Sequence, residues 1–89
     1  MLQEKITVQN KLGLHTRAAA KLVATASKFE SKSEIQHNDR KADCKSIMSL
    51  ILLGVTKGNS LHLTITGADE LDAREAIVKL FNDKFDEAE

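Results

Sequence analysis

The stretch that most limits the folds open to this chain is Leu61-His62-Leu63-Thr64-Ile65-Thr66, its cleanest alternation. Apolar residues at every second position make a strand with one face for a core and one for water. A chain built on such a strand needs a sheet that is covered on one side only. Leu2 to Val8 repeats the pattern, with Leu2, Ile6 and Val8 on one side and Gln3, Lys5 and Thr7 on the other. Glu4 is the single mismatch on the inner side. Glu34 to His37 is a weaker strand, and Asn38-Asp39 supplies the turn into a fourth segment, Arg40 to Cys44, with Ala42 and Cys44 inward. The outer face would carry Lys5, Thr7, His62, Thr64 and Thr66.

Helical signals fall between these strands. From about Arg17 to Lys28 the residues are strong helix formers, and Ala19, Leu22, Val23, Ala26 and Phe29 or Glu30 share one face. Thr16 stands where an N-cap belongs. Ser46 before Ile47 to Leu53, and Gly54 after it, are the end signals of a short helix. The run also has the length and apolarity of a buried strand, but the unbranched Met48, Leu50, Leu52 and Leu53 favour the helix. A helix this apolar in so small a domain leaves some of Met48, Ile51 and Leu52 on the surface as a patch for a partner, unless a neighbouring loop covers them.

Asp69 caps a last helix with Glu70 and Asp72 in its first turn. Leu71, Ala73, Ile77, Leu80 and Phe81 mark its apolar side, with Phe85 as a final anchor, while Asp83-Lys84 and Asp86 to Glu89 read as an acidic, solvating tail. The order β-α-β-β-α-β-α predicts an α+β fold with an antiparallel sheet under one layer of helices.

Thirteen basic and thirteen acidic residues cancel in 89, so no global field draws this single domain to nucleic acid or an anionic membrane. The only aromatics, Phe29, Phe81 and Phe85, lie on or beside helices, which argues against a sheet that stacks RNA bases. The longest apolar run, Ile47 to Val55, is too short to span a bilayer, and Met1 to Lys5 lacks the core of a signal peptide. Cys44 is the one cysteine, and with His15, His37 and His62 it shows no metal-ligand spacing. These features predict a soluble cytoplasmic chain with no metal and no cofactor.

The chemistry gathers at Gly13-Leu14-His15-Thr16-Arg17. Gly13 permits a turn that a Cβ would resist. A helix start presents unpaired N–H groups and a positive dipole end to an anion. Arg17 adds a planar cation suited to phosphate oxygens, and His15 is a nucleophile that stays largely neutral near pH 7. The group can take a phosphoryl group on the imidazole and steady its charge. Equally, His15 can be a simple capping residue beside a solvated Arg17.

Gly13-Leu14-His15-Thr16-Arg17, Lys45-Ser46-Ile47-Met48 and Lys57-Gly58, at these separations, resemble the HPr family of phosphocarriers of the bacterial phosphoenolpyruvate-dependent phosphotransferase system. The likeness spans residues 1–89 as one HPr-like domain. It implies an open-faced β-sandwich, a four-stranded antiparallel sheet in order 1-4-2-3 with three helices on one face. It implies that His15 receives a phosphoryl group at Nδ1 from enzyme I, forming a phosphohistidine, and passes it to IIA domains. Such a protein is a monomeric carrier rather than a stand-alone enzyme. Arg17 and the backbone of Thr16 to Ala18 would hold the phosphate, Met48, Ile51 and Leu52 would dock partners, and an HPr kinase/phosphorylase would modify Ser46 in a regulatory step.

Ala18 departs from the family, which usually has proline there; alanine fits the first helical turn but adds a donor and some freedom. Leu80 to Glu87 resembles the nitrogen-related branch called NPr, whereas Ser46-Ile47-Met48 resembles the sugar branch. A regulatory module that signals through Ser46 without transfer is the other function open to this scaffold.

Overall fold

The computed structural model describes residues 1–88. Its order is β1 (Leu2–Thr7), α1 (Thr16–Ala26), β2 (Lys32–His37), β3 (Arg40–Asp43), α2 (Ile47–Leu52), β4 (Ser60–Thr66) and α3 (Glu70–Asn82), closed by a single 3-10 turn over Lys84–Asp86. The strands form one antiparallel sheet in order β1-β4-β2-β3, as the resemblance implied. The alternating strand is therefore central: β4 lies between β1 and β2, with Leu63 opposite both Glu4 and Ile35.

Leu61, Leu63 and Ile65 are buried with Ile6, Val8 and Ile35, and the helices supply Ala19, Leu22, Leu50, Ile77 and Phe81 to the same core. Lys5, Thr7, His62 and Thr66 on the opposite face are exposed and Thr64 is half-buried. Glu4, the inward mismatch, is resolved by a partner on α3: Arg74 reaches its carboxylate at 3.5 Å. The apolar run after Ser46 is a helix, and the alternative of a buried strand is ruled out. Six residues suffice because Ser46 Oγ accepts from the Ser49 amide at 3.4 Å and Gly54 exits with φ of +66°.

Several local expectations are corrected. His15, not Thr16, is the N-cap of α1, and α1 ends at Ala26. Leu71 points to solvent at 63 % exposure, so the apolar stripe of α3 begins at Ala73. Asp69 is at the N-cap of α3 but makes no cap bond; its carboxylate accepts from the amides of Glu30 and Ser31 (both 2.9 Å) and from the Ser31 hydroxyl. Those bonds hold Asp69 below the usual carboxylate range, the Ser31 hydroxyl contributing most. Phe85 is fully buried, the final anchor expected of it, and Asp83 and Asp86 are exposed as a solvating tail requires, but Glu87 departs from that tail and is half-buried. Glu89, the end of that expected tail, lies outside the described residues.

Cys44 is buried, and loss of hydration pushes its thiol up to about 12, so it offers no thiolate at neutral pH. Among the described residues no helix is long and apolar enough to cross a membrane.

Gly13 has φ of +63°, and a Cβ there would lie 2.2 Å from the Val55 carbonyl oxygen. That oxygen and the Thr56 Cα at 2.8 Å are backbone, with no movable side-chain tip to give way. Gly13→Ala should therefore cost about 2–4 kcal/mol through strain and displaced backbone, read as a lower urea midpoint at unchanged slope.

Candidate functional site

The segment Gln9 to Leu14 leaves β1, turns and enters α1, and every step of it is tethered. The Gly13 amide donates to the Asn10 carbonyl at 3.2 Å, and the Leu14 amide donates to the Val55 carbonyl at 3.2 Å. Leu14 is buried, so the next residue, His15, emerges at the rim of the core. Its backbone is extended (φ −78°, ψ 178°), and its carbonyl accepts the first bond of α1, from the Ala19 amide at 2.8 Å. The amides of Thr16, Arg17 and Ala18 are left without a carbonyl acceptor among the described residues, which is the anion-favouring feature of a helix start. Thr16 and Arg17 are exposed, whereas the Ala18 methyl is buried, so Ala18 has only its backbone to offer.

The His15 side chain is 23 % exposed. Its Nε2 lies 2.5 Å from Oε2 of Glu87, within hydrogen-bond reach. Among the described residues Nδ1 has no hydrogen-bond partner, and it is not one of the buried unsatisfied atoms, which are Asn10 Oδ1 and Ser33 Oγ. The ring thus uses one nitrogen internally and turns the other toward solvent. Arg17 is 67 % exposed, with Nε 3.9 Å from the same Glu87 oxygen.

Glu87 is 72 positions from His15, and nothing in the spacing of residues pointed to it. Packing brings it there. Phe85 is fully buried and meets Phe81 of α3 edge-on, ring centroids 4.8 Å apart. Lys21 on α1 donates to the Phe85 carbonyl at 2.6 Å. Lys84, Phe85 and Asp86 all adopt left-handed backbone, with φ of 56°, 55° and 62°. Such angles are unfavourable by about 1–3 kcal/mol per non-glycine residue, so the buried ring and the polar contacts must offset them. Asn10, fully buried, completes the clamp: Nδ2 donates to the Gly13 carbonyl (2.8 Å) and to Glu87 Oε1 (3.1 Å). The one hint in the sequence was an apolar Phe85 set among charges.

Around this pair an open groove is lined by Lys11, Leu12, Arg17, Lys21, Asp86 and Glu87. Among the described residues its charged lining is Lys11, Arg17, Lys21, Asp86 and Glu87, a polar setting and not one for an apolar ligand. Ser46 is half-buried, donating to Ser49 Oγ at 3.0 Å. Met48 and Leu52 are 65 % and 62 % exposed, whereas Ile51 packs partly against the core. Leu12 and Ile47, which the sequence did not single out, are exposed as well. His37 is half-buried beside the Ser60 carbonyl (3.4 Å) and His62 is exposed; among the described residues no cluster could hold a metal ion.

Comparison with known proteins accords with this geometry. The family model described as "PTS HPr component phosphorylation site" matches residues 2–83. The chain belongs to the HPr phosphocarrier family of the phosphotransferase system. It is 45 % identical over 87 residues to the phosphocarrier protein HPr of Xylella fastidiosa, covering 98 % of each chain. It is 40 % identical over 87 residues to the phosphocarrier protein NPr of Shewanella violacea, covering 98 % of this chain and 96 % of that one. Among solved structures it superimposes on HPr-C-His from Thermoanaerobacter tengcongensis with a TM-score of 0.95 and 43 % identity, each chain covered in full. The HPr fold in this chain thus carries the glycine-led loop and the His15–Arg17 pair on one edge of the helical layer.

The Glu87 carboxylate feels burial, which would raise its pKa, but the Asn10 amide, the His15 ring and the Arg17 cation together hold it below the usual glutamate range. A lowered folded value means that its contribution is complete above the ordinary glutamate pKa of about 4.3 and fades as pH falls through the lower folded value. Both protonation states of the ring can donate from Nε2, so the carboxylate sets this window. NMR signals of Phe85 and Glu87 should report the tail loosening over that acid range, and Glu87→Gln should abolish the step.

Proposed function

We propose that His15 accepts a phosphoryl group on Nδ1 from phosphorylated enzyme I and hands it to IIA domains of the phosphotransferase system. The observation that carries this reading is the division of labour on one ring: Nε2 is held by Glu87 while Nδ1 is open beside an exposed Arg17 and the uncapped start of α1. A carrier must hold its cargo without trapping it. An exposed site with few charge-assisted contacts meets that demand better than a closed pocket, because alignment and charge compensation are then completed by the partner. The amides of Thr16, Arg17 and Ala18 and the Arg17 fork are the groups that would receive the phosphoryl oxygens. Ala18 fits here, since α1 begins normally without a proline.

Met48 and Leu52, with Ile51 at their edge, are the proposed docking surface for donor and acceptor, and exposed Ile47 beside Met48 extends it. Ser46 at the head of α2 adjoins that surface in sequence. A phosphate there would place negative charge at the rim of the docking face, which supports a regulatory role for this hydroxyl. The buried, unpaired thiol of Cys44 suits a reducing compartment, and we place the carrier in the cytoplasm.

Incubated with phosphoenolpyruvate and enzyme I, the protein should gain one acid-labile, base-stable phosphate, absent from His15→Ala. Arg17→Ala should slow the gain on the order of tenfold, equivalent to about 1.4 kcal/mol in the barrier. A folded wild type that stays unlabelled would leave the regulatory-module reading in its place. Met48→Asp should raise the KM for the donor on the order of tenfold while the unfolding midpoint stays put.

A further inference from the structure

The tail that covers the site has a more specific task than closing the core. Three observations converge on Glu87. Its oxygen Oε2 lies 2.5 Å from Nε2 of His15 and its other oxygen accepts from Asn10 at 3.1 Å, so the carboxylate is fixed in plane and direction. Asn10 accepts a cost to do this, since its Oδ1 is buried without a partner while both Nδ2 bonds go to the Gly13 carbonyl and Glu87. The backbone upstream is held in three successive left-handed residues, anchored by buried Phe85 and by Lys21 on its carbonyl. Disfavoured backbone and an unmet buried acceptor gathered at one side chain mark a geometry that the fold maintains for its own sake.

We infer that Glu87 is a positioning residue for His15, accepting from Nε2–H so that the neutral ring carries its lone pair on Nδ1. A carboxylate can only accept, so the bond requires the proton on Nε2 and selects the nitrogen that is nucleophilic. The inference rests on the phosphocarrier reading for its consequence. As the Nδ1 lone pair forms the N–P bond, the bond from phosphorus to the donor breaks and its electron pair returns to the donor. The ring then carries a positive charge with the Nε2 proton retained. Glu87 faces that charge as it forms, as a carboxylate does behind the histidine of a hydrolase triad. The groups facing Glu87 are His15, Arg17 and Asn10, so its charge is balanced in place and not aimed at the incoming phosphate.

The test uses the full chain with ¹⁵N-labelled histidine. At pH 8.5, where an imidazole is neutral, two-bond ¹H–¹⁵N spectra should show His15 wholly as the Nε2–H tautomer in the wild type. In Glu87→Ala the Nδ1–H form should appear beside it. Glu87→Gln, whose amide oxygen still accepts, should restore the wild-type tautomer but not the full transfer rate. Phosphoryl transfer should fall on the order of tenfold in Glu87→Ala, in kcat rather than in KM. Phe85→Ala, which keeps the Glu87 side chain but frees the tail that holds it at His15, should reproduce the tautomer shift. Identical tautomer populations in wild type and Glu87→Ala, or a faster transfer in the variant, would overturn the inference. The spectra need no phosphoryl donor, so a wild type that fails to accept phosphate would sink the carrier reading by itself.

Discussion

The contact between the loop before α1 and the irregular segment after α2 is the constraint on which the site depends. Gly13 lies against the Val55 carbonyl so closely that no side chain fits between them, and the Leu14 amide is bonded to that same carbonyl. With Leu14 buried beneath, the chain has one direction left, and it brings His15 out exactly where α1 begins. The sheet matters to the site chiefly as the rigid floor that holds both segments.

The C-terminal residues complete what the loop begins. An open-faced sandwich covers one side of a sheet with helices, and the ends of those helices leave gaps at the rim of the core. Phe85 fills one of them against Phe81, and the backbone bends into left-handed geometry to reach it. That bend turns Glu87 back onto His15, where Asn10 and Arg17 share its charge. Packing energy from an aromatic ring thereby contributes to the orientation of a carboxylate two residues further on. The same economy appears at Asp69, which ties the segment after α1 to the start of α3 instead of capping its own helix.

Electrostatics at the site are balanced rather than strongly biased. Arg17 and the amides of α1 attract an anion, while Glu87 keeps a negative charge within reach of the same ring. A purely cationic pocket would bind phosphate tightly and release it slowly. A carrier needs comparable free energies before and after transfer, and an exposed cation beside a compensated carboxylate suits that requirement. In the proposed carrier the apolar residues of α2 would provide association without charge, so docking would not compete with the phosphoryl group for Arg17.

What could be read without coordinates followed from local rules. Period-two alternation in β1 and β4, helix formers after Arg17 and the serine and glycine around α2 gave the order of elements, and the residues at Gly13 to Arg17 announced an anion site. Those signals are local because they depend on neighbours a few residues apart. Which residue capped α1, where the apolar stripe of α3 began, and how Glu4 was neutralised depended on contacts between elements, and so lay beyond them. The role of the last residues was the largest omission. Charged residues near a terminus normally face water, and only the packing of Phe85 against α1 and α3 brings Glu87 to a histidine 72 positions away. Sequence alone therefore determined the sheet, the helices and the place of His15 at a helix start; the tertiary structure decided which nitrogen of that ring is left open, because only packing fixes what stands behind it.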